Sequence, residues 1–269
     1  MKSRMKAAAA GALCLGLGWS MSALAAQTIR YVALVDGGKQ AGQQVVKVGD
    51  DGITRVDFIF KDNGRGPELK EEYRLAADGT YQTYQVKGSS TFGAKIDESF
   101  RRDGEKAQWK STSDTGEQAV QGTAQYSPLG GTPASFSVAY NALSKRADGK
   151  LPLIPSGTLT SRKVTAQTVQ CGGKPGEVDL VAATGVGLTP TFAWVTTGDD
   201  PRLFAYIFPG FLQLIEDGCQ ADATALEVRQ KQAEGEALVE LAKRLGHALP
   251  GSTLIRNARV FDSEHATLG

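Results

Sequence analysis

Asp-Gly pairs recur through the first half of this chain, at Asp51-Gly52, Asp78-Gly79 and Asp103-Gly104. Each divides two short segments rich in branched and aromatic residues. Such a pair supplies the left-handed backbone that a tight hairpin turn requires. Segments joined this closely can pair only antiparallel, because a parallel pair needs a crossover of a dozen or more residues. The spacing predicts strands over Ile29–Val35, Gln43–Val48, Ile53–Phe60, Leu69–Leu75, Thr80–Val86, Ala94–Arg101 and Lys106–Ser111. In the third of these, Thr54, Val56, Phe58 and Phe60 alternate with Arg55, Asp57 and Ile59 and read as the core face.

A polar loop around Ser127–Pro133 precedes a predicted helix, with Phe136, Ala139, Tyr140 and Leu143 on one face. Leu151-Pro152-Leu153-Ile154-Pro155-Ser156-Gly157 reads as a rigid apolar turn. Strands resume over Thr158–Val169, Glu177–Ala183, Thr189–Thr196 and Leu203–Phe208. Phe211–Glu216 reads as one helical turn. Ala223–His247 lacks proline and is rich in helix formers. Leu238, Leu241, Ala242 and Leu245 give it an apolar stripe. It reads as a connector helix, and the stripe fits equally a helix laid over the β core. The expected fold is mainly β (α+β): an antiparallel meander or half-barrel sheet with a short helix, then a connector helix and one isolated strand. The expected divisions are 1–25, 26–220, 221–249 and 250–269.

Residues 1–25 have the form of a secretory leader. Lys2, Arg4 and Lys6 precede the apolar run Ala7–Trp19, and Ala23-Leu24-Ala25 is a small-x-small cleavage site. The mature chain is therefore expected in the periplasm or outside the cell, with no membrane association after cleavage. It keeps 27 basic against 29 acidic residues. That balance gives no support for a nucleic-acid partner, which usually demands a basic stripe. Two cysteines remain, Cys171 and Cys219. In an exported protein they form either a disulfide or two separate buried thiols.

Few residues point to chemistry. His247, at the end of the connector, and His265, in the tail, have no metal-binding partner at a suitable spacing. Gly185-Val186-Gly187 lacks the lysine and helix start of a phosphate loop and reads as a turn between strands. Gly-x-Ser-x-Gly is absent. Arg65, between glycines in Gly64-Arg65-Gly66-Pro67, is the most site-like residue: it could meet an anion or a partner surface, or simply be solvated. Trp109, Trp194, Phe192, Phe204 and Phe208 either line an apolar cavity or pack in a core.

The tail Leu254-Ile255-Arg256-Asn257-Ala258-Arg259-Val260-Phe261-Asp262 resembles the opening strand of metal-dependent amidohydrolases of the imidazolonepropionase and dihydroorotase type. Gly64–Pro67, Leu151–Gly157 and Gly187–Val195 are similar to segments of exported proteobacterial members. The resemblance implies that residues 250–269 begin a composite β-sandwich leading to a (β/α)8 barrel. That barrel would bind a divalent metal such as zinc and activate water against a C–N bond. Its His-x-His motif has no counterpart here, so no catalytic, metal or cofactor-binding residue is assigned and no cofactor is expected in this chain. The implied function is an accessory region, inactive alone, whose partner is the barrel in cis or in trans. The apolar tail strand fits burial in a sheet. Lacking its sandwich partners, it is expected to be poorly anchored or borrowed as an edge by the β domain. The alternative is a free-standing periplasmic binding module for an apolar ligand or partner protein, with a cavity lined by residues such as Phe58, Phe60, Trp109 and Trp194.

Overall fold

The structure, a computed structural model, describes residues 27–269. The leader read over residues 1–25 lies outside them. The first eight strands form the meander that the Asp-Gly turns require: β1 (Gln27–Val35), β2 (Lys39–Val48), β3 (Thr54–Phe60), β4 (Glu68–Leu75), β5 (Tyr81–Ser89), β6 (Lys95–Asp103), β7 (Lys106–Lys110) and β8 (Thr115–Ala119). A short strand β9 (Gln125–Tyr126) leads to helix α1 (Ala134–Ser144). A second meander follows as β10 (Leu151–Ile154), β11 (Thr158–Cys171), β12 (Lys174–Thr184), β13 (Thr191–Thr196), β14 (Leu203–Phe208) and β15 (Leu212–Glu216). Helix α2 (Ala223–Leu245) closes the body.

All fifteen strands belong to one open sheet in the order β8-β7-β6-β5-β4-β3-β2-β1-β15-β14-β13-β12-β11-β10-β9. Every pairing is antiparallel except β9 with β10. The segment Phe211–Glu216, expected as a helical turn, is the strand that joins the two meanders. Leu214 lies opposite Ala33 of β1 on one side and Tyr206 of β14 on the other. A short apolar run cannot be told from a helix by periodicity, and here the free edges of β1 and β14 decide it. Arg202 holds this junction with two bonds to Glu216, of 2.5 and 3.0 Å. Tyr31 donates its hydroxyl to the Leu203 carbonyl at 2.7 Å. The apolar turn read over Leu151–Gly157 is also corrected: Leu151–Ile154 pairs as β10, and only the residues from Pro155 turn, after a cis peptide bond. Strands β8 and β9 lie in polar sequence without alternation.

The sheet curls without closing into a barrel. Its β9 edge returns to the inner face of the first meander and meets it through side chains. Tyr126 stacks on Phe100 of β6 with ring centroids 4.5 Å apart. Gln125 accepts the Tyr81 backbone N–H at 3.2 Å. Thr54, Val56, Phe58 and Phe60 point inward as their alternation predicts. They join the core of the inner face with Tyr73, Tyr81, Tyr84 and Phe100. A second core fills the other face of the β11–β15 half, around Trp194, Phe204 and Ile215, and is covered by the first half of α2 through Ala223, Leu226 and Ala233.

Beyond that half the α2 stripe faces solvent. Leu238 and Leu245 are more than half exposed. Residues 250–269 are exposed throughout. Leu254–Asp262 is neither a buried strand nor an edge of the main sheet: only Phe261–Asp262 pairs, with Thr267–Leu268. The main sheet ends at β8 and β9, and this segment pairs with neither.

Cys171, at the end of β11, is joined to Cys219, just before α2, across a sequence separation of 48. Asp222 accepts the Gln170 backbone N–H at 2.8 Å beside it. The bond therefore pins the start of α2 to a long hairpin of the sheet. Closing a loop of this length stabilises the fold by about 4 kcal/mol in the chain-entropy account. We predict that C171S/C219S lowers unfolding free energy by about 2–4 kcal/mol in urea titration. A loss below about 0.5 kcal/mol would show that the bridge is incidental.

Candidate functional site

The curl of the sheet leaves a cavity of about 570 Å³ on the inner face. Its floor is Phe58 and Phe60, which β-alternation turns inward from β3. One wall is the segment from Gln125 to Ser135, continued by Phe136, Ala139 and Tyr140 of α1. The opposite wall comes from the second meander, through Leu153, Leu159, Ala183, Tyr206 and Leu212. Pro67, Thr91, Val186, Phe208 and Phe211 stand at the turns around the opening. Among the described residues, none that lines the cavity is charged. Its aromatics touch in series: Phe136 stacks on Tyr140 with centroids 6.0 Å apart, Tyr206 meets Phe136 at 6.2 Å and Phe208 at 5.4 Å. Phe211 closes edge-on to Phe60 at 5.4 Å.

Two buried carboxylates hold the Gln125–Ser135 wall in place. Glu98 of β6 accepts the Tyr126 hydroxyl at 2.6 Å and the backbone N–H groups of Leu129 at 2.9 Å and Gly130 at 2.8 Å. Glu71 of β4 accepts the Thr132 N–H at 2.9 Å, the Tyr84 hydroxyl at 3.2 Å and the Ser135 hydroxyl. Pro133, the N-cap of α1, offers no side-chain acceptor; Thr132 Oγ1 accepts the Ala134 N–H at 3.3 Å, and Glu71 reaches the first turn from the sheet through the Ser135 hydroxyl. Burial pushes the Glu71 carboxyl up to about 7, against the opposing pull of the Thr132, Tyr84 and Ser135 hydrogen bonds. Burial likewise raises the neighbouring Tyr81 and Tyr84 phenols well above their ordinary range.

A second hollow, of about 500 Å³, adjoins the first at Thr91, which lines both. Arg65 and Lys61 stand over it, with Ser89, Ser90 and Phe92 opposite. Gly66 allows this loop to fold back: its φ is 145°, and a Cβ there would lie 1.9 Å from the Phe60 carbonyl oxygen. Arg65 is thus placed beside the cavity rather than in it.

The structure separates the residues expected to line a cavity. Phe58, Phe60 and Phe208 do so. Trp194, Phe192 and Phe204 are packed in the other core, because their strands turn these positions toward α2. Trp109 lies near the β8 edge, where its indole donates to Asp114 at 2.8 Å. His247 and His265 do not line the cavity, and His265 pairs with Asp262 at 2.8 Å in the exposed tail. Gly185-Val186-Gly187 is a turn between β12 and β13. Among the described residues no three His, Cys, Asp or Glu side chains converge on a metal site.

Glu71 and Glu98 were missed, although the sequence carries their signal. Each occupies an inward position of an alternating strand, with Leu69 and Tyr73 or Phe100 in the same phase. A carboxylate in an apolar phase implies a buried partner set.

No family model matches the chain, and no curated protein matches it. Among solved structures, it is similar to the crystal structure of a β-barrel-like protein of a domain of unknown function, DUF1849, from Brucella abortus. The two are 12% identical, with a TM-score of 0.43, over 71% of this chain and 97% of that one. The amidohydrolase resemblance is corrected accordingly. The structural similarity is to a β-barrel-like protein, and Leu254–Asp262 opens no sandwich. The accessory-region reading goes with it.

Because Glu71 binds its proton more tightly folded than unfolded, its contribution to stability is full below pH 4.5 and is lost as pH rises to about 7. The total is about 3 kcal/mol by linkage. The carboxyls held below their ordinary values, such as Asp51 and Asp78, act at lower pH and leave this window alone. Urea midpoints measured at about pH 5 and about pH 8 are expected to fall with pH in the wild type and to stay level in Glu71→Gln. Equal slopes in both would remove Glu71 from this role.

Proposed function

We propose that the mature chain is an exported binding module for an apolar ligand, held on the inner face of the curled sheet. The observation that carries this reading is the cavity itself: about 570 Å³, open at one end, and without a charged lining residue. That volume lies within the range of small-molecule sites, which are mostly apolar with a few polar groups. Here those groups are Ser127, Thr132, Ser135 and Tyr140. They could orient a ligand, and the Ser135 hydroxyl is engaged by Glu71, which also holds the Thr132 N–H of the wall. The leader-like start and the Cys171–Cys219 bond support an oxidising, exported setting.

The cavity wall is packed on the sheet through Tyr126 and tethered to it by Glu71 and Glu98. That arrangement keeps an apolar space open where collapse would otherwise bury Phe58, Phe60 and Phe136 against one another. A fluorescent apolar probe such as N-phenyl-1-naphthylamine is expected to bind the wild type with enhanced emission. Ala139→Trp, from α1, and Thr191→Trp, from the second meander, place an indole in the space. Each is expected to weaken the probe by at least about ten-fold while the thermal melt stays cooperative. A wild type that fails to bind, or two folded variants that bind as well as it does, would refute the reading.

A further inference from the structure

The turns of an antiparallel sheet alternate between its two ends, and in this protein the two ends differ in kind. Of the loops at the cavity end, 90–94, 127–133, 155–157, 185–190 and 209–211 contain no charged residue, whereas 61–67 and 111–114 carry Lys61, Asp62, Arg65 and Asp114. The uncharged loops expose apolar side chains to an unusual degree for loops of a soluble body: Leu188 is 102% exposed, Phe92 83%, Leu129 65%, Val186 63%, Phe208 51% and Phe211 50%. At the opposite end the turns carry charges of both signs: Asp50, Asp51, Asp78, Glu105, Asp199 and Asp200 with Lys106 and Lys174, and Asp51 is paired with Arg55. The cations near the cavity end, Lys39, Lys61 and Arg65, sit on one side of it with Asp62 and Glu68.

We infer that this ring of loops docks on the surface of a lipid bilayer, with Leu188 and Phe92 entering the interface and the charged turns of the far end facing water. The inference rests on the reading of the cavity as an apolar-ligand site. Four of the exposed side chains, Leu129, Val186, Phe208 and Phe211, also line the cavity, so the exposed apolar surface and the ligand space are continuous. A sparingly soluble ligand could then pass between bilayer and cavity without crossing water. Exposed apolar loop tips gain from leaving water at the interface, and that gain grows with the area inserted. This contact is peripheral: among the described residues no helix is long and apolar enough to cross a membrane. It departs from the sequence expectation of no membrane association beyond the leader.

Besides the rim, the described residues expose apolar side chains in the tail, at Leu254, Ile255, Val260 and Phe261, and on the far half of α2, at Leu238 and Val239. Neither lines the cavity, and the α2 patch is flanked by Glu236, Glu240, Lys243 and Arg244.

The test is co-sedimentation of the purified mature chain with vesicles of phosphatidylethanolamine and phosphatidylglycerol, alongside probe binding in vesicle-free solution. The wild type is expected to partition to the vesicles. The rim variant F92D/L188D should lose at least about ten-fold in partition and keep its soluble-probe affinity within about two-fold, since neither residue lines the cavity. The helix variant L238D/V239D should partition like the wild type. A wild type that stays in the supernatant, a rim variant that partitions normally, or a helix variant that alone loses binding would each overturn the inference. Vesicle binding without probe binding would leave the docking surface standing and sink the ligand reading, so the two fail separately.

Discussion

Glu71 and Glu98 each reach from the inner face of the sheet to the segment between β9 and α1, and the shape of the molecule depends on those contacts. The second meander leaves the first only at β1 and β15, so nothing in the backbone pairing obliges its far edge to return. The carboxyl groups secure that return, beside the Tyr126–Phe100 stack and the Gln125–Tyr81 hydrogen bond. Glu98 collects the Tyr126 hydroxyl and two backbone N–H groups, and Glu71 collects the start of α1. Burying such groups is costly, and hydrogen bonds to them offset the cost only when each lone pair is used. The donors include backbone N–H groups from the loop, so releasing the loop would leave both sets unpaired. This makes the curl specific and not merely a result of strand twist.

The cavity follows from the same device. A loop fixed by polar tethers stands off from the aromatic floor by the length of its hydrogen-bonded side chains. A loop fixed by apolar contacts would have collapsed onto it. Glu71 also connects the wall to α1, whose Phe136, Ala139 and Tyr140 complete it. The rim is anchored from the other side of the sheet, where Glu227 of α2 accepts the Gly210 backbone N–H at 2.6 Å beside Phe211. Gln230 of the same helix donates to the Ile207 carbonyl at 2.9 Å. The helix therefore steadies the β14–β15 turn at the rim through contacts that its sequence-level stripe did not include.

Much of the architecture was legible in the sequence where local signals act alone. Asp-Gly pairs announced the first meander, alternation announced the inward face of β3, and helix periodicity announced α1. What escaped was set by distant parts of the chain. Leu212–Glu216 is too short to distinguish strand from helix, and the edges of β1 and β14 made it a strand. Phe136, Ala139 and Tyr140 read as a core face and are a cavity wall, because periodicity reports an apolar side without saying what stands opposite. Trp194 and Phe58 look alike in sequence, yet strand phase sends one to α2 and the other to the cavity. Leu254–Asp262 looked like a strand in search of a sheet, and here it is an exposed segment with one short pairing. The family label it suggested falls away, since no family model matches and the segment forms no buried strand.

The account centres on an apolar site on one face of one sheet, and methyl-resolved NMR tests that location directly. In a titration with decanol, the methyl groups of Ala139, Leu153, Leu159 and Leu212 are predicted to shift together in a saturable manner. Those of Leu180 and Leu226, buried in the core beneath α2, are predicted to stay in place. Saturable shifts confined to α2 and its core, or no saturable shifts at all, would contradict it.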